Sequence, residues 1–242
     1  MAKERYLVFI PAFHAAKTIA RVMLKLKNLN FDFDVLVVDN HSNDGTLDVV
    51  KNNIARYNLK NYHLIRNIKN LGYGGSQKVA IWFGIYNGYD KLVIIHADDQ
   101  YPVEAIPEII SHNAKTKAAL TIGTRLKHKN VKKVMPKWRY FGNYALSSMN
   151  RWAYGLNLDE FNSEFRIYNL EFMKKVDLDR FSSISHYTIE SIIGIIAKKG
   201  VIDQIVISCA YPDDAHHPPF FELVAYGFYN VYRALKYKVF HT

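Results

Sequence analysis

Cysteine is almost absent: Cys209 stands alone in 242 residues, which excludes an intramolecular disulfide and suits a reducing compartment. Long apolar runs are absent too. No stretch approaches the roughly 20 apolar residues needed to cross a bilayer. The opening Met1-Ala-Lys-Glu-Arg5 runs straight into a strand pattern, too short for a signal peptide. These absences point to the cytoplasm, with the protein either dissolved or peripheral to a membrane. Zinc-finger spacing, a helix-turn-helix pattern and the aromatic signature of an RNA-binding sheet are missing, so no nucleic-acid partner is expected. Internal repeats and low-complexity segments are missing as well.

What is present begins with charge. Lys and Arg number 32 against 22 Asp and Glu, a formal net charge of +10. Such an excess calls for an anionic partner; by charge alone nucleic acid, acidic lipid headgroups and phosphorylated small molecules all qualify, and composition does not choose among the three. Hydrophobic residues make up 49% of the chain, enough for a substantial core in one large domain.

Strand and helix patterns alternate through the first half. Residues 6–10 read as a strand stopped by Pro11, followed by a helix with Ile19, Val22, Met23 and Leu26 at 3.6 spacing. Residues 33–38 form a second strand pattern, then a turn, then a helix carrying Leu47, Val50 and Ile54. A short strand over 62–65 leads to a glycine-containing stretch and a helix expected from 78 to about 86. Residues 92–95 are a continuous apolar run, the mark of a strand buried on both faces. A helix with Ile106, Ile109 and Ile110 follows, then a fifth strand over 118–123. This alternation argues a parallel α/β sheet with right-handed crossovers. Beyond Gly123 the rhythm changes to a lysine-rich loop over 127–137, an aromatic helix over 138–154, a strand over 164–168 and a helix over 187–199. A strand over 201–208 and a final helix over 220–240 complete the reading.

The 92–95 strand ends abruptly in His96, Asp98, Asp99 and Gln100. Polar groups at the carboxyl end of a parallel strand sit where open α/β sheets bind ligands. His96 and Asp98 are two apart and share a side of an extended backbone. With Gln100 they could hold a divalent cation beside a phosphate, or simply solvate a loop. Gly72, Gly74 and Gly75 could cradle phosphates through backbone N–H groups, although a structural glycine turn is the commoner use. Asp39 could bind a ligand or cap the next helix. Arg125 and Arg139 could clamp phosphate oxygens or sit as surface charges. Glu190 could be a base or an arginine partner, and His216-His217 could meet a metal, a phosphate or only solvent.

Taken in order, these pieces resemble the family-2 glycosyltransferases of the GT-A fold, most closely the polyprenyl-phosphate, dolichol-phosphate mannose synthase-like group. Ile10-Pro-Ala-Phe-His14 is similar to that family's IPAYNE, and Val37-Val-Asp-Asn-His-Ser-Asn-Asp-Gly-Thr46 to VVDDGSTDGT. Asn70-Leu-Gly-Tyr-Gly-Gly75 is similar to NLGYGAA, and Ile95-His-Ala-Asp-Asp-Gln100 to the metal-binding LDADGQ. Ile122-Gly-Thr-Arg125 resembles IGSR, Asn162-Ser-Glu-Phe-Arg-Ile-Tyr168 resembles TSGFRAY, and Tyr187-Thr-Ile-Glu190 resembles YEFE.

The resemblance implies a Rossmann-like nucleotide-sugar fold, a mostly parallel sheet flanked by helices with acceptor-side helices at the C-terminal end. One domain would span 1–242: a nucleotide-sugar half over 1–125, an acceptor half over 126–219 and an amphipathic helix over 220–242. Pro11, Phe13, Asp39 and Asn40 would surround the base, with Gly72, Gly74 and His217 also on the donor. His96, Asp98 and Gln100 would hold Mg²⁺ or Mn²⁺ at the pyrophosphate, and Arg125 and Arg139 the phosphates. The implied activity is inverting transfer of a sugar from a UDP-sugar or GDP-sugar to a polyprenyl phosphate. The alternatives are a glycan-hydroxyl acceptor, with Glu190 or Glu164 as base, a non-catalytic nucleotide-sugar binder and, least favoured, a basic nucleic-acid binder, which would show steep salt dependence.

Three departures from the pattern stand out. His96 replaces the first Asp of the metal motif, which weakens a hard-cation site. Asn40 replaces a second Asp, and an amide pairs with uracil's N3–H and O4, favouring UDP. Glu164 replaces a Gly and reads best as a surface change. The aromatic and basic 220–240 helix suits an anionic membrane surface or, equally, a core or homodimer contact.

Overall fold

The computed structural model describes residues 3–210 and 220–240. Strands β1 (Tyr6–Ala12), β2 (Asp34–Asp39), β3 (Tyr62–Arg66) and β4 (Lys91–Ile94) alternate with helices α1 (Ile19–Asn28), α2 (Thr46–Tyr57) and α3 (Gly72–Tyr86). Helix α4 (Ile106–Thr116), β5 (Leu120–Thr124), the single turn α5 (Val131–Val134) and the long α6 (Lys137–Tyr154) follow. Then come β6 (Arg166–Asn169), α7 (Leu170–Met173), α8 (Tyr187–Ala197), β7 (Ile202–Val206) and α9 (Phe220–Phe240).

The seven strands form one sheet in the order β3-β2-β1-β4-β6-β5-β7. Pairings among β1 to β4 are parallel, as is β5 with β7. The expected run of parallel strands is interrupted once: β6 lies antiparallel between β4 and β5. The second half of the chain thus completes the sheet begun by the first.

Alternation along each strand sends side chains into two cores. Leu7, Phe9, Leu36, Val38, Leu92 and Ile94 pack on one face, where Ala80 and Ile81 of α3, Ala153 of α6 and Ile192 of α8 cover them. Val8, Ile10, Val35, Val37, Val93 and Ile95 pack on the other, under α1 and α4. The residues expected on the α1 and α4 faces are all buried. A sheet sealed on both faces leaves only its strand ends for ligands. β1 sits between β2 and β4, so the connections leaving it part in opposite directions and open a crevice at the carboxyl ends.

Candidate active site

The loops leaving β1, β2 and β4 each contain a non-glycine residue in the left-handed region: His14 (φ 51), His41 (φ 65) and Asp99 (φ 60). Such backbone costs free energy and collects where geometry serves a site. At Asp99 the turn separates two adjacent carboxylates. Asp99 points back to α1, where Arg21 Nε lies 2.9 Å and Lys25 Nζ 2.7 Å from its oxygens. Asp98 remains half-buried at the strand end.

Asp98 accepts the Gln100 backbone N–H at 3.1 Å and the Gln100 side-chain amide at 2.9 Å. His96 Nε2 lies 2.9 Å from the Tyr73 hydroxyl. His96, Asp98 and Gln100 therefore do not converge as a ready-made metal cage. Gln100 turns a donor nitrogen towards Asp98, and one imidazole nitrogen is committed to Tyr73. Among the described residues no group of three His, Cys, Asp or Glu side chains is placed to hold a metal ion. Asp98 alone still fits a Mg²⁺ or Mn²⁺ whose other ligands are substrate phosphates and water, the usual way Mg²⁺ is held.

Glu164 is buried, contrary to the surface position expected of it. It accepts from the Tyr73 hydroxyl at 2.8 Å, from Gln77 Nε2 at 3.4 Å and from the Thr188 hydroxyl. The fully buried Arg166 guanidinium lies 3.7 Å away. Burial alone would lower the Arg166 pKa, but Glu164 beside it raises it on balance. Burial, then Glu164, pushes the Tyr73 phenol well above its ordinary value.

At the ends of β1 and β2, Phe13 stacks on His14 at 4.0 Å and is 38% exposed, an aromatic platform. Pro11 is half-buried within β1. Asp39 is fully buried; Oδ1 accepts the Ser42 N–H at 3.2 Å, while Oδ2 has no hydrogen-bond donor and only Arg66 Nε at 3.4 Å. Asn40 departs from expectation. Its Oδ1 accepts from Asn67 Nδ2 at 2.9 Å and the Leu71 N–H at 2.8 Å, which fills both lone pairs. Its Nδ2 donates to Asn70 at 2.7 Å. The Asn40 amide holds the 67–71 turn and does not offer the donor–acceptor pair that would read uracil.

The glycines follow the commoner, structural use. They lie in the first turn of α3, six residues earlier than the helix was expected to start. The Gly72 N–H donates to Asn70 at 2.8 Å and the Gly75 N–H to the Ser183 carbonyl at 2.9 Å, so neither is left for phosphate. A Cβ on Gly74 would lie 2.6 Å from the Ser182 carbonyl oxygen. Close packing against the 182–184 segment is what requires glycine here.

Arg125 is buried in a bidentate pair with Glu160 and lies over the Tyr101 ring at 5.3 Å, so it is not an exposed phosphate clamp. Arg139 is half-buried near the same place. Burial, the largest influence, raises the Cys209 pKa, and the charges of Arg125, Glu160 and Arg139 all act on that thiol. Glu190 accepts the Ser182 N–H at 2.5 Å and the Tyr229 hydroxyl, joining α8, the 182 loop and α9. His216 and His217 lie outside the described residues. Tyr73, Glu160 and Arg166 carry no sequence signal that marks them as site residues. Tyr73 lies within the quoted glycine motif, but no local pattern announces a buried ion pair.

A mixed α/β sheet of this order, with its polar groups gathered at strand ends, is that of a GT-A glycosyltransferase. The glucosyl-3-phosphoglycerate synthase of Mycobacterium tuberculosis, solved with Mn²⁺, UDP and phosphoglyceric acid, shares the fold at a TM-score of 0.69 and 16% identity, over 97% of this chain and 78% of that one. The family described as glycosyl transferase family 2 matches residues 7–177, and the chain belongs to it. It is 29% identical over 179 residues to an undecaprenyl-phosphate mannosyltransferase of Micrococcus luteus, covering 74% of this chain and 72% of that protein. It is 23% identical over 180 residues to a polyprenol monophosphomannose synthase of Mycolicibacterium smegmatis, covering 74% and 67%. The protein is a glycosyltransferase.

Proposed function

We propose that the enzyme transfers a sugar from a nucleoside-diphosphate sugar to a polyprenyl phosphate at a membrane surface, with inversion. The observation that carries this reading is the state of the two candidate bases. A hydroxyl acceptor needs a carboxylate to take its proton. Glu190 is committed to the Ser182 N–H and the Tyr229 hydroxyl, and Glu164 to Tyr73 and Thr188. A lipid phosphate brings an oxygen that is already anionic and needs neither.

Phe13 and Asp39 Oδ2, which accepts no hydrogen bond although Arg66 lies beside it, support a nucleobase at the ends of β1 and β2, and Asp98 supports the pyrophosphate at the end of β4. A divalent cation shared between Asp98 and that pyrophosphate would neutralise charge growing on the departing nucleoside diphosphate. The relatives named for undecaprenyl and polyprenol phosphates support the lipid acceptor.

The outer surface of the acceptor half supports it too. Trp138, Phe141 and Trp152 on α6 are each more than half exposed, as are Phe221, Phe228 and Tyr232 on α9, which packs against α6. Lys132, Lys133, Lys137, Lys236 and Lys238 lie in or beside these helices. Aromatic and basic residues together suit anionic headgroups. Among the described residues no helix is long and apolar enough to cross a membrane.

The test is transfer from radiolabelled UDP- and GDP-sugars to a polyprenyl phosphate in detergent, beside a glycan bearing only hydroxyls. Label entering the lipid, and lost with Asp98→Asn, supports the reading. Label entering only the glycan overturns the acceptor.

A further inference from the structure

Two of the three departures from the family pattern, His96 and Glu164, are joined by one hydroxyl. Tyr73 Oη lies 2.9 Å from His96 Nε2 and 2.8 Å from Glu164 Oε2. A phenol has one proton to give. Glu164, with the Arg166 guanidinium 3.7 Å away, is held as an acceptor, so the Tyr73 proton goes to Glu164. Towards His96 the same oxygen can then only accept, and the donor must be an Nε2–H. Nδ1 of His96 has no hydrogen-bond partner among the described residues, and the ring is half-buried beside the Asp98 loop.

We propose that Tyr73 and Glu164 are positioning residues that place the single proton of the neutral His96 ring on Nε2, so that Nδ1 carries the lone pair at the donor site. The tautomer of a histidine is set by the bond its other nitrogen makes. A neutral acceptor at this place binds an N–H or O–H donor of the nucleotide sugar without adding negative charge beside its pyrophosphate. Glu164 supplies the carboxylate that position 96 lacks, one side chain further from the phosphates. The effect on donor binding rests on the function proposed above; the tautomer does not.

The experiment is long-range ¹H–¹⁵N correlation of the imidazoles in ¹⁵N-labelled full-length protein without ligand, the His96 signals assigned by their loss in His96→Asn. The expected spectrum shows a protonated Nε2 and a bare Nδ1, and in Tyr73→Phe a shift towards the Nδ1–H form. An Nδ1–H ring in the wild type, or a spectrum that Tyr73→Phe leaves unchanged, overturns the proposal. Should Tyr73→Phe fail to fold, the wild-type spectrum alone still decides the tautomer. In the transfer assay, Tyr73→Phe is expected to raise the donor KM about fivefold, the scale of one hydrogen bond, with little change in kcat. An unaltered KM with the expected spectrum would retain the tautomer lock and refute its part in donor binding. Absence of any transfer in the wild type would refute the proposed function and leave the spectrum standing.

Discussion

Glu160 holds Arg125 through three contacts: the guanidinium in bidentate fashion and the Arg125 backbone N–H at 2.9 Å, with both side chains out of solvent. A buried pair of this kind stabilises less than its geometry suggests, yet breaking one partner leaves an uncompensated charge. Glu160→Gln is expected to destabilise by about 3–5 kcal/mol. The double change Arg125→Met with Glu160→Leu should cost less than the single one. Denaturant unfolding of the three proteins measures both.

Two glycines separate packing from propensity. At Gly74 an added Cβ would meet the Ser182 carbonyl and the Tyr187 Cβ at 2.6 Å each. Gly74→Ala should cost about 1–3 kcal/mol, the usual scale of overpacking. Gly142, within α6, has nothing within 4 Å of that position. Gly142→Ala should instead stabilise by about 0.5–1 kcal/mol through helix propensity. Thermal unfolding should move the two Tm values in opposite directions.

Asp44 ties the loop after β1 to the start of α2. It accepts the Ala16 N–H at 3.1 Å, and the Thr46 hydroxyl and N–H at 2.6 and 3.1 Å. Burial would raise its pKa, but these bonds outweigh it and the folded value lies below the ordinary 3.8. A carboxylate with a depressed folded pKa contributes stability above its unfolded pKa and loses it as pH falls through the folded value. The Tm advantage of the wild type over Asp44→Asn should be constant above about pH 5. It should narrow once pH drops below 3.8.

The aromatic face of α6 and α9 makes a further prediction. Phe228 is 73% exposed and Phe221 83%. Sedimentation with vesicles should increase with the fraction of anionic lipid and fall with salt, since surface charges are screened within about 10 Å at 0.1 M. Trp138→Ala with Phe228→Ala should weaken sedimentation at every lipid composition while leaving the Tm unchanged. Equal binding to neutral and anionic vesicles would contradict the electrostatic part.

Much of the fold was legible because burial repeats. The α1 and α4 apolar faces and the two-sided β4 strand follow from spacing alone, and so does the gathering of polar residues after β4. The antiparallel insertion of β6 was not legible, since a strand pattern carries no direction. For the candidate site residues, the strand ends that carry them were legible but their contacts were not. Asn40, Gly72 and Arg125 stand at family positions, yet their polar atoms are taken by Asn67, Asn70 and Glu160, partners up to 35 residues away. Glu164 read as a surface change because nothing local shows that Tyr73 and Arg166 surround it.

The most direct test of the central claim is the melting temperature with UDP, GDP and their common sugar conjugates, each with and without Mn²⁺. A ligand that binds only the native state must raise it, by an amount equivalent to about 2.7 kcal/mol at a hundredfold excess over Kd. The account predicts a shift with one nucleotide class that is larger with Mn²⁺ and lost in Asp98→Asn. No shift with any nucleotide in folded protein would contradict it.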